Sequence, residues 1–335
     1  MTAKDPSFHG NDQRGVYTLA NDVVIEWFEA FARSFRRMNP DMPLTVIPYN
    51  SATGRLRKLT GKYRFTLMEE AACAHFDSLE KIVMDQGRSA AMFRKWACFF
   101  GPYSDFIFLD ADIVVSIPLD EILDAFVAAS LDFIYFDVDL TMVYRPEAVP
   151  GLMKQYGSVG FNAGAFVSRK GVVSEEGLIA FAHEAASHRE KFVIDQVDQP
   201  FLNYFFDTTG RRIACVDQLL PHYASVAWAR QPFTYDWKKD VARNAKGKVM
   251  PFIHWPGCVF PTMVRPEVFL RHRTIGDSTP TRVGYYIAFY FLRGRAKLAK
   301  VAAHWRVVLT KFFTNSAWRK YYLCRLMGIK TELPA

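Results

Sequence analysis

The sequence is poor in the features that mark several large protein classes. Its five cysteines, Cys73, Cys98, Cys215, Cys258 and Cys324, are scattered, with no Cys-x-x-Cys pair and no other zinc spacing. That pattern argues against a disulfide framework and predicts reduced thiols in a cytoplasmic protein. No uninterrupted apolar run reaches the ~18 residues of a membrane-spanning helix. Met1 to Arg14 is polar and lacks the apolar core of a signal peptide. Neither an internal repeat nor a low-complexity segment interrupts the chain. Acids are scarce near the end: from Arg265 to Ala335 there are 14 Lys and Arg against three Asp and Glu. That segment carries +11 of an overall +8, so the preceding residues are mildly acidic at −3. Such an asymmetry bears on where a protein sits more than on its chemistry.

What the chain has in quantity is apolar mass. Half of its 335 residues are hydrophobic and 29 are phenylalanine, which excludes disorder and allows a substantial core. Gly15 to Ala20 reads as a first strand, with Asn21-Asp22 as the cap of a helix that runs from Val23 to Phe35. Pro43 to Pro48 reads as a second strand. A basic stretch, Arg55 to Arg64, leads into a helical region that reaches Phe100. An apolar strand at Phe106–Leu109, a helix at about Leu119–Ala129 and a strand at Asp132–Phe136 follow. Strands alternating with helices predict a mostly parallel, doubly wound α/β sheet. The junction between a body, residues 1–262, and a basic helical extension, residues 263–335, is expected between Pro261 and Pro280.

Within that pattern, Phe106-Ile-Phe-Leu-Asp-Ala-Asp-Ile-Val-Val115 places two acids one residue apart at the end of a buried strand. Paired carboxylates there are costly to desolvate without a cation between them. The C-terminal edge of an open α/β sheet is also where ligands bind. Hard oxygen donors at Asp110 and Asp112 favour Mg²⁺ or Mn²⁺, ions that usually hold phosphates as well. A strand-end turn with solvated acids is the alternative. A second pair, Asp137-Val-Asp139, also follows an apolar strand and is expected on the rim.

Three further segments follow in order: Gly160-Phe-Asn-Ala-Gly-Ala-Phe-Val-Ser168, Asp198-Gln-Pro-Phe-Leu-Asn203 and Phe252-Ile-His-Trp-Pro-Gly257. With the Asp-x-Asp strand they resemble the GT-A glycosyltransferases, most closely the retaining family 8 type that includes glycogenin and lipooligosaccharide galactosyltransferases. The resemblance covers about Gly15 to Gly257. It implies a GT-A, Rossmann-like sheet and transfer of a sugar from a nucleotide-diphosphate donor, a UDP-sugar first of all, with Mn²⁺ or Mg²⁺. Position by position it implies Asp110, Asp112 and His254 as metal ligands, and Asp198, Gln199 and Asn162 at the reacting sugar. It implies Thr18, Ala20, Asn21, Lys95, Asp110, Ala111, Gly164 and Gly257 around the donor. Asp195-Gln196 competes with Asp198-Gln199, but only the latter is followed by Leu202-Asn203 at the family spacing; Arg94 is the fallback for Lys95. One departure stands out: the family's last motif often ends in Lys-Pro-Trp, and here Gly257 is followed by Cys258-Val-Phe-Pro-Thr.

In the basic extension, Arg293, Lys297, Lys300, His304 and Lys311 share one helical face, with Phe291, Leu298, Trp305 and Leu309 broadly opposite. Arg295 and Arg306 fall on the apolar side. Such a segment suits the interface of an anionic membrane, which would make the protein cytoplasmic and peripheral on the inner face. It equally suits a helix packed on the body with a solvated basic face. No nucleic-acid motif accompanies the charge, so nucleic acid is not an expected partner. The expected partners are a nucleotide-sugar donor and a glycolipid or polysaccharide acceptor. Two other readings remain. A sugar nucleotidyltransferase would carry a glycine-rich basic loop after its first strand, where this chain has Thr18-Leu-Ala-Asn-Asp22. A degenerate nucleotide-sugar-binding scaffold is the non-enzymatic one.

Overall fold

The computed structural model describes residues 13–84, 91–196 and 198–326. The N-terminal segment up to residue 12 and the side chain of Cys324 lie outside the described residues. By internal contacts the chain divides into two compact units. One runs to Pro256 and takes in Glu267–Ile275; the other holds Gly257–Pro266 and everything from Gly276 onward.

The first unit is built on a seven-stranded sheet in the order β3-β2-β1-β4-β7-β6-β8. Its strands are β1 (Arg14–Ala20), β2 (Leu44–Pro48), β3 (Thr66–Leu67), β4 (Asp105–Leu109), β6 (Phe133–Tyr135), β7 (Ala165–Arg169) and β8 (Ile213–Cys215). All run parallel except β7, which is antiparallel to both β4 and β6. β1, β2 and β4 are apolar runs buried on nearly every residue, as strands covered on both faces require. Phenylalanine fills the space between sheet and helices. Phe108 and Phe133 each stack on Phe166 at 5.1 Å, and Phe133 meets Phe206 at 3.9 Å. Full burial of one such ring contributes about 1.5–3 kcal/mol.

Two smaller sheets complete this unit. β5 (Ile113–Val115) pairs antiparallel with β12 (Phe252–His254), and β9 (Phe233–Asp236), β10 (Val241–Asn244) and β11 (Val249–Met250) form an antiparallel meander. The helix Ile25–Met38 packs against β5, where the Val115 amide donates to Ser34 Oγ at 3.0 Å. It also holds the helix Pro266–Arg273: Arg273 pairs with Glu26 at 2.9 Å and with Glu29 at 2.5 Å. The stretch before β4 is a 3₁₀ helix, Met92–Phe100, rather than a continuation of an α-helix. Asn21 accepts from the amides of Val23 and Val24 in the turn ahead of the first helix, whose N-cap position, Val24, has no side-chain cap, and Asp22 turns to the amides of Arg55 and Leu56. Cys73, Cys98 and Cys215 are buried free thiols.

The second unit is dominated by the helix Thr279–Thr314, followed by Ser316–Leu326. Ser278 caps its start, and at ~1.5 Å per residue its 36 residues span about 54 Å. It continues through Gly294 without a break. Phe289 is buried against Phe260, and Arg293 donates to the carbonyls of Pro261 and Met263. Arg293 is thereby withdrawn from the basic face. Most of the helix is exposed, including Ile287, Phe291, Leu298 and Trp305. No helix among the described residues is long and apolar enough to cross a membrane.

Candidate metal and donor site

The reversed direction of β7 creates the site. Because β7 runs against β4, its first residue, Ala165, lies opposite Leu109 at the end of β4. The turn that precedes β7 is therefore delivered to the acids that follow β4, and the Asp110 amide donates to Gly164 O at 2.7 Å. β12 brings the third component, since its antiparallel pairing sets His254 opposite Ile113, one residue beyond Asp112. The Trp255 amide donates to Asp112 O and fixes that register.

Asp110, Asp112 and His254 each point one donor atom into a volume where all three lie within 4.8 Å of one another. His254 Nε2 stands 3.3 Å from Asp112 Oδ1 and 4.0 Å from Asp110 Oδ2. Two carboxylates and an imidazole suit a divalent cation that accepts oxygen and nitrogen donors. Gly164 makes room for this convergence. A methyl group built on it would lie 2.5 Å from His254 Cε1, 2.6 Å from Asp110 Oδ2 and 2.8 Å from Asn162 Oδ1.

The electrostatics are those of a buried, mutually dependent cluster. Burial opposes the charged form of His254, but Asp112 above all, with Asp137 and Asp110, outweighs it and pushes the imidazole up to about 10. Burial raises the Asp110 carboxyl above its ordinary range, with Lys95 working against the shift and Asp112 adding to it. Lys95 is itself almost wholly buried. Its ammonium lies 2.8 Å from Asp198 Oδ2 and 3.6 Å from Asp110 Oδ1, and donates to Ala163 O at 2.8 Å. It rests over the Phe108 ring at 4.8 Å. Arg94, one residue earlier, is committed elsewhere, held by both oxygens of Asp77 and by Pro48 O.

The helix Gln199–Thr208 braces the same turn. Gln199 accepts from the Ala163 amide and donates to Met142 O, so both ends of its side chain hold backbone. Asn203, fully buried, accepts from the Phe161 amide and donates to Phe161 O, as a neighbouring strand would. Asn162 accepts from the Gly164 amide at 2.7 Å. Ala111 is buried between the two acids. Asp195-Gln196 forms only a short 3₁₀ turn, whereas Asp198 meets Lys95.

At the end of β1, Thr18 and Ala20 are fully buried and Asn21 nearly so, its amide also reaching Asn50. Gly257 takes a left-handed conformation, φ +63°, at the start of the second unit.

Two residues near the cluster were not among the expected site residues. Tyr49 follows β2, and its amide donates to Ala20 O. Burial and the nearby Asp110, Asp198 and Asp112 push its phenol well above the ordinary range. Only the β2-β1-β4 order could have revealed it. Asp137, expected on the rim, is fully buried, with Oδ2 3.7 Å from His254 Nδ1. Its former companion Asp139 caps a turn through the Thr141 amide.

The mostly parallel sheet with one reversed strand and paired acids at its edge is the GT-A-like fold that the resemblance implied. Comparison with solved structures shows the same fold. The apo structure of the bifunctional glycosyltransferase WbbM is similar over 85% of this chain and 52% of its own, with a TM-score of 0.54 and 19% identity. This chain thus spans about half of that protein's length. More remote are the galactosyltransferase LgtC (TM-score 0.43, 15% identity, 77% of this chain and 95% of that one) and GlyE of Streptococcus pneumoniae TIGR4 (0.44, 14%, 82% and 64%). No protein-family model matches the sequence, and no curated protein sequence does either.

Proposed function

We propose that this chain is a metal-dependent glycosyltransferase that moves a sugar from a nucleotide-diphosphate donor, a UDP-sugar, to a glycolipid or polysaccharide acceptor, with retention. The observation that carries this reading is the meeting of Asp110, Asp112 and His254 beside the Lys95–Asp198 pair at one sheet edge. Asp110, Asp112 and His254 would hold Mn²⁺ or Mg²⁺. When bound, such an ion would supply Lewis-acid chemistry, offsetting negative charge that builds on the leaving diphosphate.

The remaining work falls to side chains. Lys95 pairs with Asp198 and Asp110 in a buried setting, where an unpaired charge is strongly disfavoured. Asp198 supplies negative charge beside the reacting carbon, which favours an oxocarbenium-like transition state. Gln199 and Asn203 hold the Phe161–Ala163 turn rigid, so Asn162 and the Gly164 backbone meet the sugar in a fixed position. The strand edge at Thr18, Ala20 and Asn21, with Tyr49 beside it, is where the nucleoside would lie. With no Lys-Pro-Trp after Gly257, the leaving diphosphate relies on the ion more than on a lysine.

The long helix supports a place for this reaction. From Ser278 to Thr331 the sequence has no acid, and its exposed Ile287, Phe291, Leu298 and Trp305 lie among Lys297, Lys300 and Lys311. An apolar stripe edged by cations suits the headgroup region of an anionic bilayer, here the cytoplasmic face.

Calorimetric titration of UDP-sugars, with and without Mn²⁺, tests the central reading. We expect metal-dependent binding that Asp112→Ala abolishes. A folded protein that binds no UDP-sugar in the presence of metal would remove the UDP assignment. Binding without turnover across a range of acceptors would favour a nucleotide-sugar-binding scaffold.

A further inference from the structure

We propose that Asp137 is a positioning residue for the metal site, setting which nitrogen of His254 faces the ion. The inference rests on the assignment of His254 as a ligand and adds a residue outside the ligand set.

His254 is 1% exposed and lies between two sets of acids. Nε2 faces Asp112 and Asp110, and Nδ1 faces Asp137 Oδ2 at 3.7 Å. Both Nδ1 and Asp137 Oδ2 are buried without a hydrogen-bond partner. Two orphaned polar atoms, one able to donate and one to accept, face each other across a gap about 1 Å longer than a hydrogen bond. For Nε2 to offer its lone pair to an ion, the remaining proton of the neutral ring must sit on Nδ1. Asp137 is the group that can receive it, and such outer partners of ligating histidines fix tautomer and ring orientation.

The rest of Asp137 is tied to the elements that carry the site. Its amide donates to Ser225 O, and its carbonyl accepts from the Asn162 amide. Its Oδ1 accepts from the Ala227 amide at 2.6 Å, and Ala227 O accepts from the His254 amide. Asp137 adopts φ +53°, a left-handed conformation that Asp and Asn tolerate best. Asparagine would satisfy the backbone shape and the Ala227 amide equally well. The second carboxylate oxygen is buried, and among the described residues its near partner is His254 Nδ1.

That equivalence makes Asp137→Asn the informative variant. It keeps the Oδ1 acceptor and the turn, but replaces Oδ2 with an amide nitrogen that can only donate. Donation to Nδ1 would drive the ring proton to Nε2 and block ligation. Titration of Mn²⁺ into the full chain should show affinity ~10–100-fold weaker in Asp137→Asn, with the metal-free unfolding midpoint close to wild type. Asp137→Ala also loses the Ala227 clamp and should lower that midpoint. In Mg²⁺-loaded wild type, the ¹⁵N spectrum should show His254 protonated at Nδ1. Unchanged Mn²⁺ affinity in folded Asp137→Asn, or a proton on Nε2 in the loaded wild type, overturns the inference while leaving the metal site standing. A wild-type protein that binds no divalent ion overturns both.

Discussion

In the body, Asp110, Asp112, Asp137 and Asp198 each lie within 4.0 Å of Lys95 or His254, a cluster of opposed charges largely shielded from water. Along the helix Thr279–Thr314 the charges have one sign, mostly stand in solvent apart from Arg293, and alternate with exposed Leu298, Val301 and Trp305. The same unit charges differ in consequence. A pair 4 Å apart interacts by about 4 kcal/mol near a protein surface and by about 1 kcal/mol in water. Charges in the body therefore hold its geometry, and those on the helix contribute little to folding and remain available to a partner.

Each prediction tests that contrast, beginning with the largest effect. Asp112→Ala should lower sugar-transfer activity by more than about 100-fold, because the ligand set loses one of its two carboxylates. Initial rates at saturating Mn²⁺ will read this, and a loss below tenfold would count against metal ligation. Next comes Lys95→Met, which strands Asp198 and leaves Asp110 without its nearest cation. Chemical denaturation should show a loss of about 3 kcal/mol, as expected when one member of a buried pair is removed.

A second buried cluster in the body sharpens the comparison through pH. Asp240, fully buried, binds Arg37 at 2.5 Å and Arg271 at 3.0 Å, and Tyr235 links it to His272 Nε2. Burial, only partly offset by Asp240, pushes His272 down to about 4. Between pH 6.5 and 4 the unfolded chain binds a proton at this position and the folded chain does not. Stability contributed by the neutral ring is therefore complete above about 6.5 and is lost on acidification, by roughly 3 kcal/mol at pH 4. His272→Gln should flatten that part of the stability–pH curve, and an unchanged slope would show that other groups dominate it.

The smallest effect on folding belongs to the helix. Trp305→Glu should alter unfolding free energy by no more than about 0.5 kcal/mol. Co-sedimentation with vesicles containing phosphatidylglycerol should nevertheless fall about tenfold, and raised salt should weaken wild-type binding. Equal binding of wild type and variant would leave the helix without a membrane role.

Much of this arrangement is legible in the residue order. The run Phe106–Leu109 marks its strand by composition, whereas the meeting of Asp110 and Asp112 with His254 is implied by the resemblance of the four segments to a known family and not by their spacing. Local pattern does not encode strand direction, so the reversal of β7, on which the site depends, becomes visible only through its pairing with β4 and β6. The division of labour between Arg94 and Lys95 is hidden for a similar reason, since on a 3₁₀ helix adjacent residues point to different partners, here Asp77 and Asp198. Asp137 reads as a solvated rim acid until Ala227 and His254, some hundred residues on, are placed around it.

The order in which the cluster's members occur along the chain has a consequence for synthesis. Lys95 precedes both Asp110 and Asp112, so the strand-end acids leave the ribosome with a compensating cation already made. His254 follows about 140 residues later, which at 5–20 residues per second is a delay of roughly 7–30 s. Over that interval the nascent sheet can acquire β1, β2, β4 and β7 with its acids neutralised by lysine alone. The group of Asp110, Asp112 and His254 is then completed only with β12, near the end of translation of the body.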